Sequence, residues 1–542
     1  MGSQMIKPRI RVKAGTTAFP AKAPARPAVA RWARDSGSGV LAARPASLID
    51  SRDDIRQVWD RVAGLAVDFI QNSGRLKGVV DQVLADTVGS ELKLCLKPDL
   101  AGLGYSETET KEWAKLVQTR WRQWAWDKAE CDARGKFTVP QLVEIGLRHH
   151  IAYGEATGVI DYLPLRARQR IGVKTGVKVC MVTPTRLVRE TSETERLRDG
   201  IIHDERGRPI KYRFQEEDGI LRQKVDYLAR DKFGNQLVIH AFDPWDASDT
   251  RGISVIASAL RGHAQSEQLH DATLTTAILQ TVFAATLTSP EPSAEAFQAI
   301  EELDGWADGN SMEMRDEFLG YFGSVMDRAR DGGVSINGSK ISHLAPGEKL
   351  ELHTAATPGG NYLPFRDYLD GEMARCIGVT KAALTMDFDG ATYSSTRMEN
   401  ASIWPVVTRR RERIAAPIYQ TIFENWLDGE IGEQRIEFKG GYEAFRANRQ
   451  RACWAEWQGP AKPTADDLKS AKAAQERLWN GTSTLEVECA ELGLDVDDVI
   501  AARAADTTRL EAANLPSPYV RTTGGGKEDP ANDDEPKKKA AA

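Results

Sequence analysis

Two segments come near GxxxxGK[ST], the loop whose backbone N–H groups and lysine hold nucleotide phosphates. Gly333 to Lys340 reads GVSINGSK, with glycines at the right spacing, but Ser339 precedes Lys340 and reverses the required order. Gly524 to Lys527 is followed by Glu528 where serine or threonine is needed. Neither is expected to bind a nucleotide. A serine nucleophile held in GxSxG is absent as well, because Gly252-Ile253-Ser254 lacks the closing glycine and opens a helical pattern. His149 and His150 are adjacent and cannot share a helical face, whereas His263 and His270 can, with Glu267 between them. A metal there would still want a third ligand from elsewhere. Asp387 with Asp389 and Asp497 with Asp498 are carboxylate pairs with no partner of identifiable role. The six cysteines (95, 131, 180, 376, 453 and 489) form no CxxC, and are expected to be reduced and mostly buried in a cytoplasmic setting. With no motif of mechanism, the reading is structural or binding work, without catalytic residues, cofactor or metal.

Charge is uneven. The net charge of −6 is mild, but residues 1–45 carry nine Lys or Arg against the single acid Asp35. That arm is rich in Ala and Pro and poor in large apolar residues, so it is expected to be flexible. It is a candidate to touch nucleic acid or a neighbouring subunit, or else a solubilising tail. Arg409, Arg410, Arg411 and Arg413 form a second basic cluster. They are candidates for DNA or subunit contacts, read equally well as a solvated face with a salt-bridged interface. Neither cluster matches a sequence-reading DNA motif, so any DNA contact would go to the backbone. No apolar run approaches the roughly 18 residues of a membrane span, and no export signal follows the basic start.

The elements that would position these groups are mostly helical. Ser51 is expected to cap a helix with Ile55, Val58, Val62, Leu65 and Phe69 on its apolar stripe. Further helices are expected over 76–88, 107–127 and 138–150, with a strand-like Leu92, Leu94, Leu96 alternation between the first two. Trp113, Trp121, Trp124 and Trp126 favour core or interface packing over base stacking, since few basic residues accompany them. Turn signals from 157 to 245 separate plausible strands at 177–182, 210–214 and 236–242. Helices return at about 252–288, 294–303 and 312–328, then a Gly-rich β-like connection over 331–361 and a helix over 362–377. A long helix over 394–428 holds Pro405 and Pro417, so it should bend or break. Residues 461–515 are again helical, and a low-complexity tail follows.

Several segments, in order, resemble the lambda-type phage portal family. They are LRHHIAYGEATGV (147–159), GIIHDERGRPIKYRF (200–214), HAFDPWDASDTRGISVIA (240–257), Leu344 to Leu384, DFDGATYSSTRM (387–398) and NGTSTLEVECAELGLDVDDV (480–499). Thr392 stands where the family commonly has Asn.

The resemblance implies an α+β, mainly helical portal fold with wing, stem, clip and crown parts, assembling as a cyclic ring of about twelve subunits. It implies a structural virion protein at the head-tail junction, present in the host cytoplasm during assembly, and not an enzyme. Double-stranded DNA would pass through the ring without sequence readout, during packaging by terminase and again on ejection. The implied partners are the large terminase subunit, the major capsid and scaffold proteins and a head-completion adaptor, with no membrane. The expected division is an arm over 1–47, a helical wing over 48–170 and a β-rich clip part over 171–250. Stem, wing return and channel-facing helices follow over 251–430, a linker and helical crown over 431–515, and a disordered tail over 516–542. Asp387, Phe388, Gly390, Tyr393, Ser394, Ser395 and Arg397 are the candidate structural or channel-region residues, with Ser394 or Ser395 expected to cap a helix. The rival readings are another virion component, a helical enzyme with a dispersed site, and a free-standing DNA-binding protein.

Overall fold

The structure is a computed structural model that describes residues 50–216, 223–287, 360, 362–464 and 466–519. The basic arm, the helices expected over 294–303 and 312–328, almost all of the 331–361 connection, GVSINGSK and most of the tail lie outside the described residues. The chain divides into two units, residues 1–57 with Trp245–Asp249, and Val58–Pro244 with Thr250–Ala542. In the first, the Asp249 carboxylate accepts the backbone N–H groups of Trp245 and Asp246, each at 2.8 Å, and closes a tight turn.

Helix α1 (Ser51–Asn72) passes from the first unit into the second. Within the second unit its buried positions are Trp59, Ala63 and Ala66, while Val58 and Leu65 are exposed, so the stripe is rotated from the expected one. The cause is Trp59, whose indole donates to the Gly252 carbonyl at 2.9 Å and stacks on Tyr153. Ser73 caps α2 (Gly74–Thr87), and β1 (Lys93–Leu96) buries Leu94 and Leu96. Capping boxes start α3 (Glu107–Trp126, from Ser106 and Glu109) and, after the short α4 (Lys128–Cys131), also α5 (Val139–Tyr153, from Thr138 and Gln141).

The strands expected at 177–182, 210–214 and 236–242 are preceded by another, β2 (Glu155–Tyr162), which overlaps the start of the turn-rich stretch at 157. After α6 (Leu165–Ile171) come β3 (Val177–Val182), β4 (Leu197–Arg198), β5 (Ile201–His203), β6 (Pro209–Gln215), β7 (Lys224–Leu228) and β8 (Val238–Phe242). Two antiparallel sheets result, ordered β3-β2-β8 and β4-β5-β6-β7. A small apolar cluster of Val159, Val182, Leu187, Ile201, Phe214 and Val238 draws on both.

Helix α7 (Leu260–Leu287) starts later than expected, because Ser254 Oγ and Val255 N–H both donate to the Ile151 carbonyl and hold the preceding turns non-helical. Helix α8 (Tyr362–Ile377) matches its expected span, and α9 (Lys381–Thr385) follows. The expected long helix is α10 (Tyr393–Arg410), a π-helical turn (Arg411–Ala415) and α11 (Ala416–Gly432). Short α12 (Gly441–Ala447) and α13 (Arg449–Ala452) lead to β9 (Ala455–Gln458), which pairs with β1 so that Leu94 faces Trp457. Three separate helices close the described chain, α14 (Asp467–Trp479), α15 (Leu485–Glu491) and α16 (Val496–Ala512).

The main core lies where α3, α5 and α11 meet the β1–β9 pair. Trp121 is its centre, with ring centroids of Trp124, Phe423 and Trp426 each at 5.4 Å and Trp457 at 5.9 Å. The tryptophans are therefore packing residues, with the exception of Trp126, which is exposed and donates to Glu91 at 2.6 Å. The observed class is the α+β, mainly helical one expected.

Candidate functional site

Two of the family-like segments meet in a buried junction. Gly154 ends α5 with φ 92°, and a Cβ there would lie 2.1 Å from the Ile253 carbonyl carbon, so the turn needs glycine. The next residue, Glu155, opens β2 with no exposed surface. Its carboxylate accepts Arg251 Nε at 2.7 and 2.8 Å, Arg251 Nη2, the His240 ring nitrogen at 3.1 Å and Gly252 N–H at 3.4 Å. Arg251 also donates to the carbonyls of Asp199 (3.1 Å), Pro184 (3.2 Å) and Leu187 (3.4 Å), and its guanidinium lies 5.2 Å from the Trp59 ring centroid. Burial alone would raise the Glu155 carboxyl, but the Arg251 charge and the His240 hydrogen bond outweigh it and hold it at about 2. Carboxylate, guanidinium and imidazole together resemble a catalytic set. With Glu155 wholly enclosed, they tie backbone segments of both sheets to the turn before α7 and meet no substrate. Glu155 and Arg251 stand in the family-like segments 147–159 and 240–257, in the runs GEA and RGIS, with no motif of their own. Their signal was an acid and a base, each beside a glycine, in two separate segments.

The candidate loop sits elsewhere. Met386 and Gly390 have φ of 54° and 70°, and Met386 and Phe388 are exposed. Asp387 Oδ1 accepts the Asp389 N–H at 2.9 Å. Tyr393 opens α10, while Ser394 and Arg397 are exposed on its first turns. The cap is neither Ser394 nor Ser395. Thr392 is the N-cap, accepting Ser395 N–H at 3.2 Å, and Ser395 Oγ accepts Thr392 N–H at 2.9 Å in return. The hydroxyl at the first non-helical residue reaches the orphan N–H groups of the first turn, while Ser395, inside that turn, reaches back to the N-cap as the other half of the capping box.

The four arginines do not form one face. The helix slips into π geometry between Pro405 and Pro417, neither of which can donate a backbone hydrogen bond. At that slip Arg410 and Arg411 both turn inward and are buried. Arg410 donates to the Ile377 carbonyl at the end of α8 (2.6 Å), and burial pulls its pKa down to about 10. Arg411 donates to the carbonyls of Thr87 (2.9 Å) and Asp86 (3.2 Å) at the end of α2. Each cation thus meets the negative end of a helix dipole. Arg409 and Arg413 stay exposed and share Asp243, at 2.8 and 3.0 Å.

The histidines are dispersed. Burial pushes His149 and His150 down to about 4. His263 has Glu267 at 3.1 Å, but His270 turns to the Tyr362 hydroxyl at 3.2 Å, so the two share no ligand set. Among the described residues no group of three or more His, Cys, Asp or Glu side chains is placed to hold a metal. His343 and His353 lie outside them. All six cysteines are free thiols, of which Cys131, Cys453 and Cys489 are buried.

The chain resembles proteins of known kind along most of its length. The family described as phage portal protein, lambda family, matches residues 40–411. Portal protein B of Escherichia phage lambda is 26% identical over 461 residues, covering 84% of each chain. The portal protein of Escherichia phage N15 is 26% identical over 472 residues, covering 85% of this chain and 86% of that one. A chain of the native gene transfer agent virion is 13% identical with a TM-score of 0.35, covering 84% of this chain and 97% of its own length. The match across 40–411 and the two phage relatives establish that this chain belongs to the lambda family of phage portal proteins and is a structural protein, not an enzyme.

Proposed function

We propose that the chain is the subunit of a closed homo-oligomeric ring of about twelve copies at one vertex of a phage head. DNA enters through its channel, driven by terminase, and leaves by the same route. Head-completion proteins dock on it, and capsid and scaffold proteins assemble around it. The observation that carries this reading is membership of the portal family over residues 40–411. The surface supports it. Large apolar side chains stand exposed at Leu363, Phe365 and Tyr368 on α8 and at Leu468 and Trp479 on α14, as expected of a subunit whose remaining burial comes from its neighbours.

A conduit must let a polyanion slide, and a strongly basic wall would retain it through phosphate contacts. The net charge of −6 suits that need. So does the inward turn of Arg410 and Arg411, which removes two of the four clustered cations from any DNA-facing surface. Arg409, Arg413 and the loop holding Asp387, Phe388 and Gly390 are the remaining candidates to face the channel or a neighbouring subunit. In this reading the wing spans 48–170, the clip part 171–250, the stem and channel-facing helices 251–430, and the crown the helices α14 to α16. Particle mass and end-on imaging of the purified protein test it. A ring with a central hole wide enough for duplex DNA supports the reading, and a monomer at every concentration overturns it.

A further inference from the structure

We propose that a cavity beside β6 and β8 binds a carboxylate carried on an acidic peptide, its oxygens taken by Arg208, Arg230 and the Tyr212 hydroxyl. The site needs one copy of the chain only, so it does not depend on the ring. The cavity has a volume of about 580 Å³. That is within the range of pockets that enclose a ligand of several groups, and more than a single ion needs. Arg208, Pro209 and Tyr212, all from the family-like segment 200–214, line it together with Ala229, Arg230 and Val238. Pro209, Ala229 and Val238 make the wall partly apolar, and among the described residues no acid lines it.

Tyr212 carries the argument. It points to the buried side of β6 with Phe214 and is 7% exposed. Its ring packs edge-on against His240, with centroids 5.5 Å apart, and stacks on Phe214 at 6.5 Å. The ring is thus fixed, yet its hydroxyl makes no hydrogen bond among the described residues. A buried phenol normally finds a partner, and here the open side is the cavity. Burial, with the Glu155 charge behind it, pushes the phenol up to about 12, so it stays a donor at neutral pH. The Arg230 charge acts on it in the opposite direction, from within the same cavity lining.

The two arginines are exposed and form no ion pair among the described residues. Arg230 Nη1 donates to the Gly234 carbonyl at 3.1 Å. The acids nearby are occupied. Asp204 accepts the backbone N–H groups of Arg206 and Arg208 at 2.8 and 2.7 Å, and Glu155 is held by Arg251. Two guanidinium groups and a phenol O–H around a partly apolar recess complement a carboxylate on a methylene stem, as on a glutamate side chain. Duplex DNA carries its phosphates on a wide rigid rod, which can reach Arg208 and Arg230 but not the buried phenol.

The test uses the full-length chain and a fluorescent, end-blocked hexapeptide of alternating Ala and Glu, read by anisotropy, with its Ala-Gln twin as control. The Glu peptide should bind, and the twin at least about tenfold more weakly. Arg208→Gln with Arg230→Gln should weaken binding about tenfold or more, and Tyr212→Phe about threefold to fivefold. Each variant should keep the parent's circular dichroism and thermal midpoint. No binding by the parent, or equal binding of the twin, overturns the proposal. Binding that survives the double arginine substitution lies elsewhere on the chain and overturns it too. Acetate that displaces the peptide at equal concentration makes this a site for a free small anion. A Glu peptide bound by single subunits but excluded from assembled ones makes the occupant a second copy. Either result overturns the acidic-peptide partner.

Discussion

The Trp121 core and the C-terminal helices α14 to α16 are built from similar helical patterns but are stabilised by different means. Around Trp121, aromatic rings from α3, α11 and β9 close on one another, and Tyr419, Phe423 and Trp426 are almost wholly buried. In α14 to α16 the caps are as good, yet Leu468 and Trp479 face outward, Arg477 of α14 bridges Glu488 of α15, and polar contacts from Lys93 in β1 and Lys97 just after it tie the helices to the rest of the chain. Periodicity and capping therefore specify where a helix forms. Whether its apolar face is covered by the same chain is a separate matter, settled by what the chain can fold back onto it.

That contrast can be broken most severely at the junction that joins the sheets to the core. Arg251→Ala leaves the buried Glu155 carboxylate with only His240 and the Gly252 N–H and should cost about 3 to 5 kcal/mol, read as a shift of the urea midpoint in unassembled protein. Trp121→Ala should cost about 3 to 4 kcal/mol in the same measurement, because four aromatic neighbours lose their packing partner.

Acid sharpens the comparison. His149 is held neutral in the fold at about 4, against 6.5 when free, so the unfolded chain takes up the proton first. Its stability contribution is full above pH 6.5 and is lost as the pH falls from 6.5 towards 4. His149→Phe should therefore flatten the loss of stability between pH 7 and pH 5 by about 1 to 2 kcal/mol. A slope unchanged by that substitution would place the acid sensitivity elsewhere. Thr392→Ala removes the cap of α10 and should cost about 1 kcal/mol, with hydrogen exchange rising over its first turn. Leu468→Ala, at the outward-facing end of the comparison, should change the unassembled chain by less than about 0.5 kcal/mol. A cost as large as that of Trp121→Ala would show that α14 is packed within its own chain.

Much of the local structure was legible in the sequence. Capping signals and 3.6-residue periodicity placed α3, α5 and α8 closely, and alternation placed β3, because these depend on neighbours along the chain. The order of the family-like segments carried the portal assignment, which no composition or spacing holds. What sequence alone left open depended on contacts distant along the chain. The rotation of α1 about its axis follows from one indole reaching Gly252, 193 residues away. The pairing of Glu155 with Arg251 joins positions 96 residues apart. The separation of Arg410 and Arg411 from Arg409 and Arg413 needed both the π slip and the carbonyl ends of α2 and α8 to receive the two buried cations. Side-chain type and spacing determined which helices and strands form. Only the packed structure decided which charges face water, because burying a cation is tolerable only where carbonyls or carboxylates from elsewhere in the chain receive it.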